Sequence, residues 1–185
     1  MTLMEGFISD SVSSYSEFLS ENHPTLKNSN NIIISFAVSS PGYSHNNRID
    51  PLIKLHERSF YFSKPAEKFS ALGVNDVFTI AENGDRRFAA TGKKIKEIKH
   101  KIITNKNKIS LKNIPLFFGG MKFYVEHDDA DWKDFNDSTW FIPEFLLIEN
   151  NDENYIVFNQ FFSSGTSIEN LKSKFSKRLE YLLNI

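Results

Sequence analysis

Residues 115–145 read PLFFGGMKFYVEHDDADWKDFNDSTWFIPEF, and the order of features in that stretch decides the fold. Leu116, Phe117 and Phe118 supply an apolar layer, Gly119 and Gly120 admit a bulge or a close backbone approach, and Phe123 to Val125 resume the strand. Both glycines are expected where a side chain would clash or where φ is positive. Beyond a polar loop, Trp132 and Phe135 can fold back as aromatic lids, and Phe141 to Ile148 re-enters a sheet.

Downstream, Asn150-Asn151-Asp152-Glu153 is a turn-rich tetrad that should close a hairpin between Phe141–Glu149 and Tyr155–Phe162. Thr166-Ser167-Ile168-Glu169 has the form of a capping box. Ile168, Leu171, Phe175, Leu179 and Leu182 then repeat on one side of an amphipathic helix, so the chain is expected to end on an apolar face that needs a partner. Upstream, Ile32 to Val38 is a β-branched run bounded by Ser-Ser-Pro-Gly, and its near-continuous apolarity argues for a strand covered on both faces. Asp10 or Ser11 can cap a short helix in which Tyr15, Phe18 and Leu19 share one face and which ends before His23-Pro24. Gly42 to Glu57 reads as a loop with a short helix over Pro51 to His56. Asn83-Gly84 predicts a type I′ hairpin between Val77–Glu82 and Asp85–Ala90. Lys93 to Lys108 holds seven lysines and one glutamate, with Ile95, Ile98 and Ile102 forming the stripe of a helix that lies on the sheet.

Composition narrows the function. With 185 residues and 40% hydrophobic content, one domain with one sizeable core is expected. The 22 basic and 23 acidic side chains give a net charge of −1, so no whole-chain field favours nucleic acid or an anionic membrane. Eighteen Phe and no Cys mean an aromatic core without thiolate chemistry or cysteine-held zinc. The start of the sequence lacks a basic region followed by an unbroken apolar stretch, so no signal peptide is expected; no window approaches the ~20 apolar residues of a membrane span, and a cytoplasmic protein is expected.

The chemically suggestive groups each have a plainer account. Glu126, His127, Asp128, Asp129 and Asp131, with Asp134 and Asp137 beyond, cluster carboxylates as hard cations require, yet lack the glycine and closing glutamate of an EF-hand and read as a solvated turn. Lys93, Lys94, Lys96, Lys99 and Lys101 alternate with isoleucines and not with stacking aromatics, which fits a solvated helix face better than a phosphate-binding one. His23, His45, His56, His100 and His127 show no paired metal-ligand spacing. His56 and Glu57 are adjacent and would point to opposite faces of a strand. Ser163-Ser164-Gly165 lacks the nucleophile elbow pattern and suits the start of a helix.

The run from Pro115 to Phe145 resembles the amino-terminal half of the chorismate-utilising enzymes, and most closely the isochorismate synthases, where a strand ending in Gly-Gly is followed by a loop, Trp-x-x-Phe and a strand carrying a Pro and a Leu-rich run. Ser59 to Pro65 is similar to the family's early aromatic strand, and Leu72-Gly73 with Val77–Ala81, Asn83-Gly84 and Arg86–Phe88 to the hairpin after it, so the resemblance covers roughly residues 32 to 162. It implies an α/β fold of the α+β type: a large, mainly antiparallel sheet flanked by helices, half of a chorismate-binding, anthranilate synthase component I-like fold. It also implies chorismate as substrate of the whole enzyme, Mg²⁺ as its cofactor, and menaquinone or siderophore synthesis as its destination. The activating lysine, the general-acid glutamate and the Mg²⁺ carboxylates belong to the family's carboxy-terminal half, expected outside this chain, so no catalytic, cofactor-binding or metal residue is assigned within it. Scaffold without chemistry is the expectation, together with self-association through the uncovered apolar face. Feedback-regulated anthranilate synthases carry Leu-Leu-Glu-Ser on the early strand; here Ser59-Phe60-Tyr61-Phe62-Ser63 lacks that acid, which agrees better with the isochorismate synthase branch. The aminodeoxychorismate, anthranilate and salicylate synthases, or a free-standing binding module, are the alternatives.

Overall fold

The computed structural model describes residues 3–40, 49–55, 58–105, 114–124, 136–151, 153–163 and 165–184. Among them run helices α1 (Leu3–Glu21), α2 (His23–Lys27), α3 (Ile49–Leu55), α4 (Arg87–Lys99) and α5 (Ile168–Asn184). The strands are β1 (Ile32–Ser39), β2 (Ser59–Lys64), β3 (Phe69–Val74), β4 (Phe78–Glu82), β5 (Ile102–Thr104), β6 (Phe118–Met121), β7 (Ser138–Ile142), β8 (Phe145–Asn150) and β9 (Glu153–Phe162). Six of them form one sheet in the order β2-β3-β8-β9-β1-β5, antiparallel throughout except where β5 runs parallel to β1. A second sheet has the order β4-β7-β6.

The large sheet is the middle of three layers. On β1, Ile32, Ile34 and Phe36 point to the layer of α1, α3 and α5, where they meet Tyr15, Phe18, Leu52, Leu171 and Phe175. The alternate residues Ile33 and Ala37 meet the other side, Ile33 with Ile98 of α4 and Ile142 of β7, Ala37 with Phe118 and Phe141 of the small sheet. The apolar run of β1 is therefore covered on both faces, as its composition implies. Aromatic rings dominate the helical layer: Tyr15 lies 4.5 Å from Phe175 and 5.0 Å from Phe36, and Phe158 lies 5.2 Å from Phe175. The Tyr15 hydroxyl donates to Gln160 Oε1 at 2.9 Å, which satisfies the polar tip of a fully buried ring. Its burial pushes that hydroxyl well above the usual tyrosine range.

The β8–β9 hairpin closes where the Asn-rich tetrad places it, with Asn150 opposite Glu153 and Asn151 at φ 57°. Other expectations are corrected. Val77–Glu82 and Asp85–Ala90 are not a hairpin: β4 pairs with β7, and Arg87 begins a helix. Only one residue of the Asn-Gly pair, Gly84 at φ 80°, adopts positive φ, and the segment after it contains Ala89 and Ala90, strong helix formers with no β-branched neighbour until Thr91. The helix ends at Lys99, not Lys108. Ile102, Ile103 and Thr104 are three consecutive β-branched residues, and they pair with Ile33, Ile34 and Ser35 instead of prolonging the stripe.

The strand expected from Pro115 to Val125 is only Phe118–Met121, and Phe123 and Tyr124 are exposed. Phe141 to Ile148 is not one strand but the end of β7 and the start of β8, divided at Pro143, which has no N–H to give to a ladder. Helix α1 begins at Leu3, well before Asp10, but its Tyr15, Phe18 and Leu19 are buried together as read. At α5 the cap is Ser167, whose Oγ accepts from the Asn170 N–H at 3.1 Å, one residue later than the expected box. The apolar stripe of α5 is covered: Leu171, Phe175, Leu179 and Leu182 are all buried against α1 and the sheet, so the uncovered face expected to drive self-association is not there. Trp132, Phe135 and the acidic run from Glu126 to Asp134 lie outside the described residues.

Candidate functional site

Two polar constellations hold the corners of the small sheet. The first is centred on Glu144, at the corner where the chain leaves β7 and enters β8 after Pro143. Its backbone N–H donates to the Val74 carbonyl at 3.1 Å, and its carbonyl accepts from the Asn159 N–H at 2.8 Å, so three segments fix its position. The buried carboxylate accepts from Arg178 of α5, lies 3.5 Å from Lys174 one turn earlier, and accepts from Asn75 Nδ2 at 3.1 Å. The Arg178 guanidinium also sits 5.8 Å from the Phe145 ring centroid and 5.5 Å from that of Tyr181. Burial alone would raise the Glu144 carboxyl. The hydrogen bonds from Arg178 and Asn75 and the charges of Arg178 and Lys174 outweigh it and hold the group below the ordinary glutamate range.

The second is built on Arg87, buried in the first turn of α4. Its Nε and one terminal nitrogen donate to the Lys122 carbonyl at 3.0 and 2.8 Å; that nitrogen also reaches the Phe123 carbonyl at 2.8 Å, and the other donates to the Gly84 carbonyl at 3.2 Å. Asp137 completes the frame: its Oδ2 accepts from the Gly84 N–H at 2.8 Å, its carbonyl from the Lys122 N–H at 2.7 Å, and its own N–H donates to Asn83 Oδ1 at 3.0 Å. The Gly84 N–H is the chief reason the Asp137 carboxyl is lowered, with Lys122 and Arg87 adding to it. The turn after β4, the end of β6 and the start of β7 are thereby tied together. The Asn83-Gly84 signal, read as a hairpin turn, serves this frame.

Both constellations are braces. Each buried charge is opposed or spent on carbonyls, and the cations and N–H donors around the two carboxylates hold them in the ionised form. Among the described residues, no three His, Cys, Asp or Glu side chains gather as metal ligands would. Of the lysines read as a solvated face, Lys93 lies 3.9 Å from Glu97 and Lys94 pairs with Glu82 of β4. His23 and His100 are exposed, while His45, His56 and His127 lie outside the described residues. Glu144, Asn75, Arg87, Lys174 and Arg178 were not legible as a group. Their sequence trace is slight: Lys174 and Arg178 at i, i+4 spacing, and a glutamate directly after the proline of an apolar strand.

Two grooves accompany the braces. One, of about 330 Å³, lies between α1 and the end of β1 and is lined by Asp10, Ser11, Ser14, Glu17 and Phe36. The other, of about 380 Å³, lies at the start of α5 with His23, Lys27, Thr166 and Ser167 along it.

A large, mainly antiparallel sheet with helices on one face and a smaller sheet on the other defines a mixed α/β protein. The chain belongs to the chorismate binding enzyme family, whose sequence profile matches residues 17–184. The search of curated proteins found no match. Among solved structures the chain is similar to MenF, the menaquinone-specific isochorismate synthase from Escherichia coli, at 10% identity and a TM-score of 0.49, over 90% of this chain and 33% of that one. The chain thus spans about a third of the length of the solved structure it matches. No helix among the described residues is long and apolar enough to cross a membrane.

Proposed function

We propose that this chain is the scaffold portion of a chorismate-utilising enzyme of the isochorismate synthase branch, a cytoplasmic activity that interconverts chorismate and isochorismate for menaquinone or siderophore synthesis. Family membership over residues 17–184 supports the chorismate connection. One observation supports the scaffold role: the strongly buried guanidinium, Arg87, is spent on three backbone carbonyls, and Arg178 is held by Glu144. Chorismate is a dicarboxylate, and a site for it needs cations aimed at the substrate; these two brace the fold instead. Ser59-Phe60-Tyr61-Phe62-Ser63, on the edge strand β2, lacks the acid that a feedback-regulated relative carries there, and that absence from the sequence supports the isochorismate branch over the anthranilate branch.

The Mg²⁺ that such an enzyme uses does not fit the described residues. Of the two carboxylates built into the braces, Glu144 is neutralised by Arg178 and Lys174 and Asp137 faces Lys122, so neither offers the clustered, uncompensated oxygens that Mg²⁺ seeks. No step through the metal is derived for this chain.

The test is direct. The purified chain, given chorismate and Mg²⁺, is expected to form no isochorismate in a coupled assay and to show no chorismate-dependent rise in melting temperature. Turnover above the uncatalysed rate, or saturable thermal stabilisation by chorismate alone, would overturn the scaffold role.

A further inference from the structure

We infer that one water molecule is bound between Ser35 of β1 and Asn159 of β9, on the face of the large sheet that is covered by β7 and α4. The two residues are directly opposite in the antiparallel register, and both are completely buried. The amide of Asn159 is fixed the right way round, because its Nδ2 donates to the Pro143 carbonyl at 2.8 Å. The atom left over is therefore the acceptor, Oδ1, and it has no partner among the described residues. Among the same residues Ser35 Oγ has none either.

Buried polar atoms in native proteins are almost always bonded, to protein or to ordered water. Cross-strand neighbours hold their β-carbons about 4.5–5.5 Å apart, so one small molecule bonded to both could serve the two atoms together. The missing partner must donate to Oδ1 and can either donate to or accept from Oγ. It must also be neutral, since Ile33, Ile98 and Ile142 form the apolar cluster on this face. Water meets each requirement, and apolar walls make its exchange with bulk solvent slow. Its place is structural and specific: with Asn159 it links the central β1–β9 pair to the Pro143–Glu144 corner, where the chain passes from the small sheet to the large one.

Oxygen-17 water relaxation dispersion on the purified chain counts long-lived internal waters. Ser35→Val fills the hydroxyl position with methyl groups and suits a strand; it is expected to lower that count by one, with far-UV circular dichroism unchanged. An unchanged count in a folded variant overturns the inference. Should the variant not fold, a high-resolution crystal structure of the wild-type chain decides. A density peak within hydrogen-bond reach of both Ser35 Oγ and Asn159 Oδ1 supports the water, whereas a direct Ser35–Asn159 hydrogen bond or an empty gap overturns it.

Discussion

The two faces of the large sheet are built by different means. On the helical face, α1 and α5 press aromatic and leucine stripes onto β1, β8 and β9, and the Tyr15–Gln160 pair adds a buried hydroxyl-to-amide hydrogen bond to that layer. On the other face, the small sheet and α4 rest on smaller clusters and depend on named polar ties at Arg87, Asp137 and Glu144. The first face is specified by periodicity, which works over short windows of sequence. The second is specified by pairings such as Asn75 with Glu144, 69 positions apart, which no local window contains.

The largest effect should come from the helical face. Phe175→Ala removes a ring packed between Tyr15, Phe36 and Phe158, and is expected to cost about 3–5 kcal/mol in chemical denaturation. A loss below about 1 kcal/mol would mean that this layer is not the main store of stability.

On the opposite face the glycines provide a sharper contrast. A β-carbon on Gly119 would land on the Thr139 carbonyl oxygen and 2.7 Å from Trp140 Cα, whereas one on Gly120 would meet nothing within 4 Å. Gly119→Val is expected to lower stability by about 3 kcal/mol through overpacking, or to prevent β6 from pairing with β7. Gly120→Val should stay within about 0.5 kcal/mol, as exposed substitutions do. Equal melting temperatures for the two variants would contradict the geometry of this edge.

Next in size is Arg87→Met, which keeps the stem but removes the donors to Gly84, Lys122 and Phe123. A loss of about 2 kcal/mol is expected from charged hydrogen bonds of this kind. Faster amide exchange confined to the end of β6 and the start of β7 would identify the frame as the cause, and uniform exchange would not.

The smallest effect is a pH dependence. Because the folded-state pKa of Glu144 is lowered, its stabilisation is fully present above the ordinary glutamate value of 4.5 and is lost as pH falls through the folded value. Wild type should therefore exceed Glu144→Gln in urea midpoint at pH 7, with the gap narrowing below that pH window. A gap that stays constant down to the acid limit would show that Glu144 acts through shape and not charge.

Legibility followed the same divide. The β1 run, the α5 stripe and the Asn-rich turn each carry their instruction within about ten residues, and each appears where it was read. Asn83-Gly84 failed because a turn signal names a bend and not the strand that follows it: the alanines after Arg87 favour helix, and the true partner of β4 is β7. Ile102 failed for a related reason, since a residue at helical spacing is also a good strand residue, and the edge of β1 was open to receive it. Gly119 and Gly120 were read as one device; only the first faces a backbone. For the α5 stripe the family resemblance implies a cover from a second half of the fold, whereas α1 and the large sheet supply it within the chain.

The Tyr15–Gln160 bond joins positions 145 residues apart, and it places a condition on synthesis as well as on stability. Ribosomes release α1 and β1 long before β9 and α5 exist to cover them. Until β9 and α5 are made, Tyr15, Phe18 and the isoleucines of β1 lack their partners, while the β8–β9 hairpin, local in sequence, can close as soon as it emerges. The rate of folding should accordingly be set by the return of β9 to β1 and not by formation of any single helix, and the α1–β1 segment has most need of a chaperone's hold while it waits.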